Sequence, residues 1–262
     1  MLIEIFIAAL TFITLYYLAG YVIAKKKKDT SVLDIMWGQG FVWLLLLLVI
    51  IRRLLADDLM LVHVFIFTFT SMWGLRLSYF LHKRYRKYGQ YIRHAPISDY
   101  LGRLVFYKAL YMLIVAAPLI FVFAHFKSDP DFQANLLVFI GSLWFLGGFV
   151  IEAVSDQQLR NFKHRPEMQK RILKTGLWRY SRHPNHFGEC VLWWGLGLMA
   201  FANVYFPFNL LSLLGPLVLT VVIRWFYGVP PVERKMSKHP EFEAYSLRTS
   251  TFILLPPKKI KK

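Results

Sequence analysis

The chain has 262 residues, of which 56% are hydrophobic, 17% are aromatic and only 18% are charged. Soluble domains usually carry about a quarter of charged residues, so this composition excludes a disordered chain and an ordinary soluble enzyme. The single cysteine excludes a disulfide framework and a cysteine-based zinc or iron–sulfur site, and the net charge of +17 has to be interpreted by where the charges lie.

Seven segments are long and apolar enough to cross a membrane as helices. A helix needs about 20 mostly apolar residues to span the hydrocarbon core, where its backbone groups must bond internally. In chain order the predicted spans cover residues 2–24, 36–55, 59–81, 104–125, 134–154, 186–204 and 207–227. The sequence therefore predicts an all-α, polytopic integral membrane protein with a seven-transmembrane helix bundle. We expect one membrane domain over residues 1–262, with a substrate-side half at 1–126 and a cofactor-side half at 134–262.

The basic residues are concentrated in alternate connections between the predicted spans. Four follow the first span, six follow the third, eight separate the fifth from the sixth, and eight lie in the tail, which makes 26 of the 32 lysines and arginines. The positive-inside rule then predicts an N-terminus outside and a C-terminus in the cytoplasm. The charge therefore indicates membrane topology and no nucleic-acid partner. We expect a multi-pass protein of the bacterial inner membrane, or of the endoplasmic reticulum if the source is eukaryotic.

Two polar positions are notable in the front half. Asp34 lies at the cytoplasmic entrance of the second span, and Arg76, Tyr79 and His82 lie on one face of the third. Both positions are at the cytoplasmic side, so we expect Asp34 and Tyr79 to meet. An N-cap role for Asp34 and an interfacial-belt role for Tyr79 are the alternatives.

The richest cluster of ionisable residues covers residues 152–189, and such groups at the mouth of a bundle are functional candidates. Asp156, Arg160 and Lys163 follow at i, i+4 and i+7, so they form one stripe of a helix that Pro166 stops. The alternative for this stripe is a solvated, salt-bridged helix end.

A second motif connects this helix to the next span. Gly176 permits a turn, Pro184 suits a first helical turn, and Asn185 and Glu189 share a helix face. The basic residues before this face are Arg171, Lys174, Arg179 and Arg182. Arginines near a helix N-terminus favour a phosphate-bearing ligand, whose amide or ribose hydroxyl groups would bind the Asn and the Glu. A basic loop that touches anionic lipid head groups is the alternative.

With these motifs the chain resembles the steroid 5-alpha-reductase family of integral membrane NADPH-dependent reductases, and most of all its poorly characterised bacterial branch. The resemblance covers about residues 150–255. The matching positions are Asp156, Arg160, Lys163, Arg171, Gly176, Leu177, Tyr180, Asn185, Gly188, Glu189, Lys235, Met236 and Tyr245. The resemblance implies seven spans, a cytoplasmic C-terminus and NADPH as the cofactor.

The resemblance also implies a set of cofactor-binding residues. Those expected to line the NADPH pocket are Asp156, Lys163, Arg171, Asn185 and Glu189. Tyr180 falls on a family tyrosine, and Arg224 is our candidate for a further pyrophosphate contact. The set of candidates is completed by Arg160, Arg182, His183 and Glu233.

The chemistry implied by the resemblance is reduction of a conjugated C=C in a lipophilic, steroid-like or isoprenoid enone that enters from the membrane. In the steroid reductases a Glu and a Tyr hold the enone carbonyl, and Asp34 and Tyr79 take these places here. NADPH supplies a hydride to the β carbon while the pair polarises the oxygen.

Two departures from the steroid reductases favour a second function. Residues 228–233 replace a His-rich stretch, and Arg182-His183-Pro184 replaces small residues. The Arg-His-Pro motif, Glu233 and Tyr245 are shared with membrane methyltransferases that act on prenylated cysteine or phospholipid. An S-adenosylmethionine-dependent methyltransferase is therefore the alternative to a reductase. We expect no metal site because the histidines form no His-box set, and a transporter would carry its polar residues at the midplane.

Overall fold

The computed structural model describes residues 2–55, 59–88, 97–124, 131–168 and 171–259. Within these ranges the chain is helical apart from turns, loops and an isolated bridge between Ser181 and Ser250, which confirms the all-α prediction. The α-helices are α1 (Leu2–Lys27), α2 (Ser31–Leu55), α3 (Leu61–Tyr88), α4 (Ile97–Ala124), α5 (Phe132–Lys163), α6 (Pro184–Asn203), α7 (Leu214–Val221), α8 (Val229–Met236) and α9 (Phe242–Arg248). The 3-10 helices are Pro166–Met168, Gly176–Arg179 and Phe208–Leu213, and Val222–Tyr227 is a π-helix.

Six helical stretches of the described residues are long and apolar enough to cross a membrane: one in each of α1 to α5, and Phe208–Met236. This is the pattern of an integral membrane protein. The predicted sixth span forms α6, but it is not among the six. Its first turns carry Asn185, His186 and Glu189, which lower the hydropathy of the helix. The predicted count of seven spans is therefore not confirmed.

Several helices extend beyond the spans that hydropathy predicts. α2 begins at Ser31 and not at residue 36, and α5 continues to Lys163 and not only to residue 154. Hydropathy identifies the apolar part of a helix, whereas its polar turns continue outside the hydrocarbon. At the start of α2, the Asp29 Oδ1 atom accepts a hydrogen bond from the backbone N–H of Ser31 at 2.8 Å. Asp34 therefore lies inside the first turn, and the interpretation of Asp34 as an N-cap is wrong.

The predicted seventh span is a composite of different helix types. Its last part is the π-helix, which ends where the Gly228 N–H donates to the carbonyl of Ile223, five residues back, at 3.1 Å. A Cβ atom on Gly228 would lie 2.7 Å from that carbonyl oxygen, so the close turn requires glycine. Pro230 lies in the first turn of α8, where a proline costs no hydrogen bond.

The chain divides into two compact units, which we call the first and second unit. The first unit comprises Met1–Val138 and Gly197–Gly215, and the second comprises Phe139–Leu196 and Pro216–Lys262. The first unit thus contains α1 to α4 with the beginning of α5 and the end of α6. The second unit contains the remaining parts of α5 and α6, most of α7, and α8 and α9.

In the first unit, α2 and α3 approach at Gly38 and Gly74, where a Cβ on Gly38 would lie 2.5 Å from the Gly74 carbonyl oxygen. At the other end of α2, the guanidinium of Arg52 is fully buried and donates to the carbonyl of Phe123 in the last turn of α4. A cation at this place neutralises the exposed carbonyls of a helix C-terminus. Arg52 is therefore a structural residue of the first unit.

In the second unit, α5 and α6 pack backbone against backbone through glycines. A Cβ on Gly148 would lie 2.4 Å from the backbone nitrogen of Leu192, and one on Gly188 would lie 2.6 Å from that of Glu152. A Cβ on Gly195 would lie 2.5 Å from the Gly141 carbonyl oxygen. Small residues at this spacing allow membrane helices to approach closely. We call this the glycine contact, and it fixes the register of α6 against α5.

We predict that Gly148→Ala destabilises the protein by about 1–3 kcal/mol, because the added methyl group overlaps α6 and forces the helices apart. The matched control is Gly147→Ala at the adjacent position, where an added Cβ meets no atom within 4 Å. That change should be neutral or should stabilise the helix by up to about 1 kcal/mol. Thermal unfolding in detergent, followed by tryptophan fluorescence, compares the two variants. Equal melting temperatures would contradict the prediction.

Candidate functional site

The loop before α6 is held against the last turns of α5. Gly176 has a φ of +62°, and a Cβ there would lie 2.4 Å from the side-chain amide of Gln158, so the predicted turn is confirmed and requires glycine. The Gln158 Oε1 atom accepts a hydrogen bond from the Leu177 N–H at 3.0 Å. The Trp178 indole donates to the carbonyl of Ser155 at 3.1 Å. These contacts lead the chain into α6, which begins at Pro184 as predicted.

The glycine contact places polar residues of α5 and α6 at the same end of the two helices. On α5, Glu152 and Asp156 are i and i+4, and both are buried. On α6, Asn185 and Glu189 are i and i+4, and Gly188, which contacts Glu152, lies between them. The predicted site residues Asp156, Asn185 and Glu189 therefore belong to one end of one helix pair. The buried carboxyl group of Glu152 is an addition to the predicted set.

The Asn185 side chain has an unused acceptor. Its Oδ1 atom is buried and has no hydrogen-bond partner among the described residues. Its neighbour Glu189 has one oxygen 3.8 Å from the Nδ1 atom of His186, which is beyond hydrogen-bond distance. Because a buried polar atom without a partner is costly, it indicates a place for a ligand that donates N–H or O–H groups.

Arg182 lies beside this end of α6 and is bound entirely by the protein. Its Nε and Nη2 atoms donate to the two carboxylate oxygens of Glu233 at 3.0 and 2.6 Å. Its Nη2 atom also donates to Thr251 at 3.0 Å, and its Nη1 atom donates to the carbonyls of Ser246 and Thr249 at 3.1 and 2.9 Å. These are the five donors of a guanidinium group. Arg182 therefore connects α6, α8, α9 and the residues that follow α9.

His183 belongs to the same network. Its Nε2 atom lies 2.8 Å from a carboxylate oxygen of Glu233, and its ring stacks on that of His186 at 5.9 Å between centroids. The residue is only 1% exposed, and this burial lowers the pKa of His183 although the hydrogen bond to Glu233 opposes the shift. We therefore describe His183 as a neutral imidazole that donates from Nε2 to Glu233.

Residues 249–255, which we call the C-terminal strap, pair with residues 180–182. The backbone N–H of Arg182 donates to the Ser250 carbonyl at 2.8 Å, and the Leu255 N–H donates to the Tyr180 carbonyl at 3.1 Å. Just before the strap, the Tyr245 hydroxyl donates to the Trp178 carbonyl at 2.5 Å, and burial raises the pKa of Tyr245. The strap thus covers the start of α6.

The remaining cofactor candidates lie at the surface of the second unit. Lys163 and Arg171 are exposed, and Tyr180 is 40% exposed. Arg160 donates a hydrogen bond to Gln157 on its own helix. These side chains can face an incoming ligand, unlike Arg182.

Two further basic residues have partners elsewhere in the second unit. Arg224 lies in the π-helix with its guanidinium 5.5 Å above the ring of Trp225. Lys174, one of the basic residues of the loop, forms an ion pair with Glu241 at 2.5 Å.

The predicted pair of Asp34 and Tyr79 is not formed. Asp34 binds Lys108 of α4, with 2.7 Å between Oδ1 and Nζ, while Tyr79 is 64% exposed. The reason lies in the face of α3 that meets α2. Ser78 donates to the Ile35 carbonyl at 3.0 Å, so the next residue, Tyr79, is turned to another face of the helix. Lys108 was missed, although a lysine inside a predicted span is itself a signal.

We predict that Arg182→Lys releases the C-terminal strap although the positive charge is retained, because an ammonium group cannot make five hydrogen bonds in the guanidinium geometry. Each lost charge-assisted bond costs about 1.5–3 kcal/mol. Limited trypsin digestion should then cut after Arg248 at least roughly ten times faster than in the parent protein. Arg179→Lys, at an exposed position of the same loop, is the control. Identical digestion of both variants would exclude this role for Arg182.

Comparisons with known proteins place the chain in a family. No curated protein and no solved structure matches it. A family profile described as a protein of unknown function, DUF1295, matches residues 20–249, which is most of the chain. The chain belongs to the DUF1295 family, a steroid 5-alpha-reductase-like membrane family.

Proposed function

We propose that the chain is an NADPH-dependent membrane reductase that reduces the conjugated C=C of a lipophilic enone. The single observation that carries this proposal is the unused buried acceptor of Asn185 beside the Glu189 carboxylate. It lies at the end of the helix pair where the resemblance to the steroid 5-alpha-reductases expects the cofactor. The family membership supports the same class of function.

The residues present fit the chemistry of a pyridine nucleotide. The carboxamide and the ribose hydroxyls of NADPH are hydrogen-bond donors, which suit Asn185 and Glu189. Its phosphates suit the exposed guanidinium and ammonium groups of Arg171, Arg179 and Lys163. Arg182 has a different task in this proposal, since its donors are already used. It orients the start of α6 and so keeps the Asn185 side chain in place.

Each component of the site has a defined role in the proposed reaction. When bound, NADPH supplies the hydride that is transferred to the β carbon of the enone. The protein holds the cofactor through α6, excludes water with the C-terminal strap, and provides acceptors that orient the amide and ribose groups. A catalytic role of Asp34 and Tyr79 stays a prediction, and the proposal does not depend on their pairing.

One observation favours the methyltransferase alternative. Arg182, His183 and Glu233, which are far apart in the sequence and shared with the membrane methyltransferases, form one hydrogen-bonded network. S-adenosylmethionine carries a sulfonium and an ammonium group, and both would be attracted by the carboxylates of Glu152, Asp156 and Glu189. Cofactor binding separates the two functions.

We also propose that α6 crosses the membrane as a seventh span, with its polar first turns at the cytoplasmic side. Its last turns, from Val191 to Asn203, carry no charged side chain. The distribution of lysines and arginines then assigns the N-terminus to the outside and the C-terminus to the cytoplasm.

We predict that the purified protein binds NADPH and that Glu189→Gln and Asn185→Ala each weaken this affinity about tenfold, because each removes one buried acceptor. Glu167→Gln and Asn161→Ala change exposed residues and are the matched controls. Titration with NADPH and, separately, with S-adenosylmethionine measures the affinities. Normal NADPH binding in both site variants with loss of S-adenosylmethionine binding would replace the reductase by the methyltransferase.

We predict that a tag after residue 262 is cytoplasmic and that a tag before residue 1 is outside. The reason is the concentration of basic residues in the connections that a seven-span topology assigns to the cytoplasm. Protease protection in sealed cells and in inverted vesicles measures the side of each tag. If both tags are on the same side, the number of spans is even and α6 does not cross.

A further inference from the structure

A polar cluster in the first unit contains a buried hydroxyl group without a hydrogen-bond partner. Tyr17 of α1 is only 1% exposed, and its hydroxyl oxygen is buried and has no partner among the described residues. Buried tyrosine hydroxyls usually find a partner, since an unpaired one loses its hydration without compensation. The neighbouring residue shows the contrast, because the Tyr16 hydroxyl donates to the Met36 carbonyl at 2.9 Å.

An ion pair lies close to this hydroxyl. The Asp34 carboxylate of α2 is within electrostatic range of Tyr17, and it binds the Lys108 ammonium of α4 at 2.7 Å. The side chains of Asp34 and Lys108 are 47% and 22% exposed, so the pair reaches the surface of the unit while Tyr17 lies inside. Ionisable groups on membrane helices are costly, and their presence indicates a function.

The surroundings of the cluster are aromatic and adaptable. The ring of Trp37 stacks on that of Tyr111 with centroids 4.9 Å apart and an angle of 8° between planes. Two methionines pack against glycines of this region: Met36 approaches Gly20, and the Met112 methyl group would lie 2.7 Å from a Cβ on Gly40. Methionine side chains are flexible and adjust to ligands. Apolar walls with a few polar groups are typical of small-molecule sites.

We infer that the hydroxyl of Tyr17 donates a hydrogen bond to the carbonyl oxygen of a lipophilic ligand, which enters as Met36 and Met112 move aside. A ketone oxygen accepts and cannot donate, so it complements a hydroxyl group whose proton has no acceptor. The ammonium group of Lys108, held by Asp34, adds positive charge near the same oxygen. The inference rests on the proposed function, whose substrate is an enone, and it assigns Tyr17 as the residue that recognises the oxygen.

The test compares ligands that differ by the oxygen and variants that differ by a hydroxyl. The probes are cholest-4-en-3-one and a linear C18 enone, each measured beside the hydrocarbon that lacks the oxygen, by quenching of tryptophan fluorescence in detergent without cofactor. The parent protein should prefer at least one ketone over its hydrocarbon. Tyr17→Phe should reduce this preference about tenfold, the loss of one buried hydrogen bond. Tyr16→Phe, whose hydroxyl has a protein acceptor, should leave the preference unchanged.

The melting temperatures of the ligand-free proteins provide a second measurement. Tyr17→Phe should match or exceed the parent, because it removes an unpaired polar atom, whereas Tyr16→Phe should melt lower because it loses a hydrogen bond. A lower melting temperature for Tyr17→Phe would show that the hydroxyl is already bonded, for example to a buried water, and would overturn the inference. Absence of ketone preference in the parent, or its persistence in Tyr17→Phe, would overturn it as well.

The same protein preparations, titrated with NADPH, separate this inference from the proposed function. NADPH binding without a ketone preference contradicts the role of Tyr17 and leaves the reductase proposal intact. A ketone preference that depends on Tyr17, in a protein that does not bind NADPH, supports the ligand site and contradicts the reductase.

Discussion

The second unit depends on the guanidinium group of Arg182. A buried cation is stable only when each donor has an acceptor, and here the acceptors come from the Glu233 side chain and from the backbone and side chains of residues 246–251. Segments that are distant in the sequence must therefore assemble at once. The energetic cost of burying Arg182 thus becomes the specificity with which the start of α6, α8 and the C-terminal strap are held together.

The glycine contact and the Arg182 network divide the work of building the site. Glycines bring α5 and α6 so close that the carboxyl groups of Glu152 and Asp156 come to the same end as Asn185 and Glu189. The network then fixes the first turn of α6 from the other side. A polar site at the end of a membrane helix pair needs both, since carboxylates and amides in an apolar setting would otherwise separate or recruit water.

The sequence predicts the helical class, the turn at Gly176, the start of α6 at Pro184 and the grouping of Asp156, Asn185 and Glu189, because each follows from local spacing or from hydropathy. It does not predict that Arg182 is used internally, since its acceptors lie more than 50 residues away in the chain. The pairing of Asp34 with Lys108 instead of Tyr79 depends on which faces of α2, α3 and α4 meet, and apolar spans of low amphipathicity do not encode these faces in their periodicity.

The π-helix over Val222–Tyr227 has an evolutionary consequence. A π-turn holds one residue more than the α-turn it replaces, so it is equivalent to a one-residue insertion in an α-helix. A relative that lost this residue would continue as an α-helix, and everything after it would rotate by about 100°. Glu233 would then leave Arg182. Deletions inside 222–227 are therefore compatible with this fold only together with a compensating insertion before Glu233.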